Sequence, residues 1–210
     1  LAGVHRGFSP VPPEQARTGA PEKSVNYEAG ARYTTRHARA EVIGFFNDYS
    51  NITNLCTESN GCAGALADTQ FEGGRARILG AEVFAETEIP LAFGFHLPTR
   101  VSYTYTYTEF LSSFVSADPQ FGTVKRGDEL PYVPPNQINA AIGLERDAWG
   151  VNVAGTFVDA MRERAGQGKP QPGDLTDSYF LLDASAKYAF AKYLELYVNG
   201  RNLTNDRYIG

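Results

Sequence analysis

Cys56 and Cys62 stand in a long polar stretch with five residues between them. In an oxidising exterior, a disulfide here would close the stretch into a loop and lower the entropy of its open ensemble. A metal pair is the rival reading, and no histidine or further cysteine lies nearby in the chain. His5, His37 and His96 are isolated, without the His-x-x-x-His or His-Glu-x-x-His spacing of a zinc site. Gly166-Gln167-Gly168-Lys169-Pro170 has the flavour of a phosphate loop, but it lacks the full Walker spacing and the hydroxyl residue after the lysine. It reads as a surface loop. Asp159, Glu163, Asp174 and Asp177 form no recognisable carboxylate pair, and there is no Gly-x-Ser-x-Gly elbow or Ser/His/Asp set. The expectation is a protein without catalytic residues, resident metal or cofactor.

Basic charge is carried by 14 Arg against five Lys. Arginine grips carboxylates and phosphates in a bidentate fork that lysine lacks. Arg126, Arg162 and Arg164 lie in long polar stretches, placed to attract an anionic ligand, and Tyr132 and Phe121 offer rings to stack on one. The competing reading for any one arginine is an ion pair with a neighbouring acid.

The elements that would hold these residues are β-strands. The 210 residues are 42% apolar and 20% charged, with net charge −5, which excludes nucleic-acid binding driven by bulk charge. No apolar run approaches the length of a membrane-spanning helix. The chain opens at Leu1 without a basic-then-apolar signal segment, and its one methionine is Met161, so it reads as an excerpt or mature piece. Twelve Tyr, 13 Phe, 21 Gly and 12 Pro suit pleated strands punctuated by turns. Period-2 alternation recurs, as in Val101, Tyr103, Tyr105 and Tyr107 against Ser102, Thr104, Thr106 and Thr108. It marks nine strands, near 1–8, 22–34, 38–50, 74–89, 99–112, 136–146, 150–162, 177–189 and 193–202. The stretch from Arg39 to Tyr49 is least clear, because Ile43, Phe45 and Phe46 put bulk on both faces.

Link lengths alternate. Those near 35–37, 147–149 and 190–192 are short and 90–98 is modest, whereas 9–21, 51–73, 113–135 and 163–176 are long. Long strands with alternating short and long links are the pattern of an outer-membrane barrel. Its lipid face would carry Val25, Tyr27, Leu79, Val83, Ile138, Ile142, Leu194 and Leu196. The lumen would carry Asn26, Glu28, Arg32, Glu82, Glu86, Asn139, Glu145, Asp183, Lys187, Glu195, Asn199 and Arg201. An odd number of strands implies that a closed barrel needs more chain than this.

Five motifs, in order, carry a resemblance. Pro21-Glu22-Lys23-Ser24-Val25-Asn26-Tyr27-Glu28-Ala29-Gly30, Phe45-Phe46-Asn47-Asp48-Tyr49, Gly80-Ala81-Glu82, Tyr132-Val133-Pro134-Pro135 and Asn202-Leu203-Thr204-Asn205-Asp206-Arg207-Tyr208 resemble strand markers of TonB-dependent outer-membrane receptors. The opening Gly3-Val4-His5-Arg6-Gly7-Phe8-Ser9-Pro10 and the cysteine loop look most like the ferric-dicitrate branch. The resemblance implies an all-β, antiparallel transmembrane barrel of 22 strands, of which residues 1–210 would supply about nine. The plug domain, the first barrel strands and the last strand would lie outside them. It also implies a bacterial outer-membrane location, a ferric siderophore or ferric dicitrate as ligand, and coupling to the TonB complex through the plug. The alternatives are a passive porin or adhesin barrel and a soluble β-sandwich, which the outward Val, Leu and Tyr rows oppose.

Overall fold

The computed structural model describes residues 1–11, 19–58 and 61–208. The expected link at 9–21 therefore lies partly outside the described residues. Nine antiparallel strands form one sheet: β1 (Ala2–Ser9), β2 (Glu22–Thr34), β3 (Ala38–Asn51), β6 (Ala76–Pro90), β7 (His96–Phe110), β10 (Asn136–Arg146), β11 (Trp149–Val158), β12 (Tyr179–Ala191) and β13 (Leu194–Gly200). Each pairs with the next in this order, and the sheet is not closed. Two small hairpins, β4 (Thr53–Cys56) with β5 (Thr69–Glu72) and β8 (Phe114–Val115) with β9 (Thr123–Val124), stand in the long connections. Short and long connections alternate, so every long one leaves the same end of the sheet.

The register sorts side chains into rows that cross the sheet. One row runs Val42, Val83, Tyr103, Ile138, Phe157, Phe180. Another runs Val4, Tyr27, Phe46, Leu79, Tyr107. These rows share a face, and so do all eight residues assigned to lipid from the sequence. The opposite face is polar and carries ion pairs between neighbouring strands. Arg32 and Arg39 both reach Glu41, at 2.5 and 3.3 Å. Arg100 lies 3.6 Å from Glu86, and Lys187 lies 3.3 Å from Glu145. The apolar face is the outer one, and the polar face lines the lumen.

The apolar band drifts across the register. The last outward aromatic on β2 is Tyr33, whose row passes through Ala40, Ala85, Val101, Ala140, Gly155 and Leu182. On β11 and β12 the last within the regular ladder, before the bulge that carries Phe190, are Trp149 and Tyr188, three rows further down. Three rows are six residues, gained over the six steps from β2 to β12. At about 3.4 Å per residue and 4.8 Å per strand, this is a tilt of ~35°. The eight residue steps from Phe180 to Tyr188 then span ~22 Å along the normal, close to the height of a barrel's lipid-facing band.

The ambiguous segment 39–49 also resolves. Val42 and Phe46 face out, while Ile43 and Phe45 face in, opposite Gly30 and Gly80. A Cβ on Gly80 would collide with the Tyr105 carbonyl oxygen and meet Phe45 Cζ at 2.7 Å. Glycine lets the lumen-side rings lie flat on the wall. Two strand ends differ from expectation by more than two residues. β7 begins at His96, so the link after β6 is a tight turn over Leu91–Phe95, and β11 stops at Val158 rather than 162. There the Asp159 carboxylate accepts hydrogen bonds from Ala160 N at 2.9 Å and Asn136 Nδ2 at 2.8 Å, which turns the chain out of the ladder.

Candidate functional site: the loop-lined mouth

The long loops pack on the lumen side of the sheet's end. Tyr49, Ala76 and Phe110 form the topmost lumen-facing row. Onto Ala76 and Phe110 pack Phe121, Val124 and Leu130 from the 111–135 loop, joined by Ile52, Phe114 and Ala165. Phe110, Phe114 and Phe121 meet edge to face, with centroids 5.5–5.9 Å apart. This arrangement favours aromatic pairs beyond simple area burial. The loops thus have a hydrophobic core of their own, folded inward over the mouth.

Polar contacts tie the loops to each other. From the 52–75 loop, Asn54 Nδ2 donates to Asp118 Oδ2 at 2.7 Å and to Gln120 Oε1 at 3.1 Å. Ala165 N, in the 159–178 loop, donates to the Gln120 carbonyl at 3.0 Å, and Glu129 N donates to the Gly166 carbonyl at 2.7 Å. Glu22 receives Thr53 N and Oγ1 at 2.9 and 3.0 Å. Cys56 and Cys62 are joined by a disulfide, both sulfurs buried. The Asp118 carboxylate lies within 4.8 Å of those sulfurs, but bonded to each other they offer no thiolate to a metal ion. Asp118 is fully buried and satisfied by Asn54 and by Gln120 N at 2.9 Å.

The five loop residues singled out from the sequence fall in different surroundings. Arg162 is buried; its Nε donates to Glu129 at 3.1 Å and its Nη2 to the Gly168 carbonyl at 2.5 Å. Arg164 is exposed beside it, and the two line a cavity of about 250 Å³ with Gly166, Gln167 and Asp174. Phe121 is 7% exposed within the aromatic trio. Tyr132 is exposed on a backbone at φ 56°, and its N–H donates to the Arg162 carbonyl at 2.8 Å. Arg126 is exposed near Glu109. Glu109 accepts hydrogen bonds from Arg77 Nη2 at 2.8 Å and from the Tyr107 hydroxyl at 3.1 Å. Sequence reading missed Asn54, Asp118, Gln120 and Glu129, which join the loops; buried polar pairing carries no periodic signal. Lys125 and Lys169, also exposed, were within reach of a scan for basic residues.

A nine-stranded wall with an apolar outer band, a charged lumen and loops folded over one end matches a known sequence family. The model for the TonB dependent receptor-like beta-barrel covers residues 2–203. The chain belongs to the TonB-dependent receptor family. Solved structures of receptors share the fold. The copper transporter OprC superposes with TM-score 0.66 at 16% identity, over 99% of this chain and 31% of that one. The ferric yersiniabactin uptake receptor FyuA of Yersinia pestis gives 0.66 at 19%, over 97% and 29%. The ferric-catecholate import receptor Fiu of E. coli K12 gives 0.63 at 18%, over 96% and 26%. This TonB-dependent receptor chain therefore spans under a third of the length of those structures. No curated protein sequence matches it. TonB-dependent receptor barrels are outer-membrane proteins, and this family and its structural neighbours are transport receptors rather than enzymes.

Proposed function

We propose that this chain is barrel wall and loops of a bacterial outer-membrane receptor that takes up a ferric siderophore or ferric dicitrate, driven through TonB by way of a plug domain outside these residues. The observation that carries the reading is the match to the receptor barrel model over residues 2–203, on a sheet whose long loops fold over the lumen. The barrel breaks no bonds; it offers a binding mouth and a walled, hydrated path. Exposed Arg126, Arg164 and Tyr132 meet the anionic chelate by charge and ring contact. Arg162 and Phe121 serve the same site by holding the loops in shape. No resident cofactor or metal is needed, because iron travels as cargo. Ferric dicitrate within this class is supported by the resemblance of the opening strand and cysteine loop.

The test is growth of a strain lacking the full-length receptor on single iron sources under iron limitation. Loss of growth on ferric dicitrate or one ferric siderophore, restored by the gene, is the expected result. Rescue restricted to a vitamin or a sugar would overturn the substrate class.

A further inference from the structure

The outer face changes character abruptly at the loop end. The row Val4, Tyr27, Phe46, Leu79, Tyr107 is wholly apolar or aromatic. The next row up reads Arg6, Val25, Asp48, Arg77, Glu109, and Lys23 stands one row higher beside Phe8. Arg75 precedes Arg77 by two residues, just before β6, and reaches the same outward Asp48, its Nη2 3.9 Å away. These charges point away from the lumen, so neither the mouth nor the transport path accounts for them. Arg77 is committed to Glu109 at 2.8 Å. Arg75 is loosely held, with its side chain 60% exposed, and Arg6 and Lys23 are exposed and make no ion pair among the described residues. The outward acids at this level on β3 and β7 are Asp48 and Glu109.

The drift of one residue per strand fixes relative heights. Lys23, Arg75 and Arg77 stand just above the apolar band, and Arg6 lies lower, near the level of Phe46 and Tyr105. An arginine stem is long enough to lift its guanidinium to the interface from there. A wall of four neighbouring strands thus sets cations in excess over acids at the depth of lipid head groups, directly above aromatic side chains. Basic clusters at that depth attract anionic lipid.

We propose that Arg6, Lys23 and Arg75 form an outward-facing collar that binds the phosphorylated head group of an outer-leaflet lipid. The proposal rests on the membrane-barrel reading of this chain. Arginine contributes a fork to phosphate oxygens and lysine a mobile point charge. Arg77, neutralised by Glu109, orders the patch.

The experiment uses the full-length receptor in neutral detergent, exposed to bisphosphorylated lipid A, its dephosphorylated form or inorganic phosphate, with bound molecules counted by native mass spectrometry. The phosphorylated lipid should be retained at least tenfold over the dephosphorylated one, retention should fall with salt, and phosphate alone should not be retained. The triple variant Arg6→Gln, Lys23→Gln, Arg75→Gln should lose the preference, and Arg6→Lys with Arg75→Lys should keep part of it. Equal retention by wild type and triple variant, or of both lipids by wild type, overturns the collar. If the variant folds poorly, the wild type's own lipid preference and its response to salt still decide the matter. Failure of the wild type to insert into vesicles would instead sink the membrane reading beneath it.

Discussion

Val83→Arg asks directly which way the wall faces. Val83 is 39% exposed at the middle of β6, six residues from Arg77 above and six from Ile89 below. With the strand tilted ~35°, it stands about 17 Å along the normal from each. Its register neighbours are Val42 and Tyr103, and its same-face neighbours on β6 are Ala81 and Ala85, so no acid is in reach of a new guanidinium. A lipid-facing arginine at the bilayer midplane costs roughly 2–4 kcal/mol, falling to about 0–1 near an interface. Val83→Arg should therefore lower the folding equilibrium by a factor of about 30 to 700, at one decade per 1.4 kcal/mol. Ile89→Arg should cost much less. Glu82→Arg, one residue away and facing the lumen, should be close to neutral. The assay is the denaturant midpoint of the full-length receptor folded into vesicles, followed by heat-modifiable gel mobility. Equal costs for Val83→Arg and Glu82→Arg would refute the assignment of the two faces.

Phe121→Ala removes a buried ring from the loop core, a change that typically costs roughly 3–5 kcal/mol. Hydrogen exchange in the full-length receptor should show the Gly122 and Ala165 amides exchanging about 100-fold faster or more, with β6 and β7 unchanged; strand amides exchanging equally fast would count against a separate loop core. Replacing Cys56 and Cys62 with serine opens a loop of sequence separation 6. By loop entropy this should cost the 52–75 loop about 2 kcal/mol, read as faster protease nicking there, and unchanged nicking would argue against the strut. Gly80→Val should sharply reduce the heat-modifiable fraction, because its Cβ meets backbone rather than a movable side chain. Arg162→Ala should weaken ferric-chelate binding and also speed exchange at the Glu129 and Tyr132 amides, whereas Arg164→Ala should weaken binding alone.

The strands were legible because a wall between lipid and water imposes period 2 on every residue. Ile138 and Ile142 on one face with Asn139 and Glu145 on the other could only be a strand. Segment 39–49 blurred that signal because Phe45 and Ile43 cover glycines on the neighbouring strands, a relation invisible until the register is known. The loops were legible only as loops. Phe121 stands among polar and small residues, and nothing in that run announces its burial against Phe110, some ten residues earlier. Arg162 and Arg164 look alike in sequence, yet one is spent on Glu129 and Gly168 and the other is open. Pairings between separate loops decide that difference. The outward charges Asp48 and Arg77 fit the alternation, but their height above the lipid needs the tilt.

The hydrogen bonds from Asn54 to Asp118, from Ala165 to Gln120 and between Glu129 and Arg162 have a consequence for how a mouth like this one changes its preferences. Three segments far apart in the chain behave as one mechanical part. A guest entering it finds a standing shape, so little ordering entropy is lost on contact, and the side chains need not be immobilised at about 0.5–1.5 kcal/mol each. The same stiffness narrows the guests that fit. A substitution at Gln120 or Glu129 is felt in the 159–178 loop before it is felt by any cargo. A drift toward a new chelate must then proceed by compensating changes in several loops at once, or by swapping the set as a block.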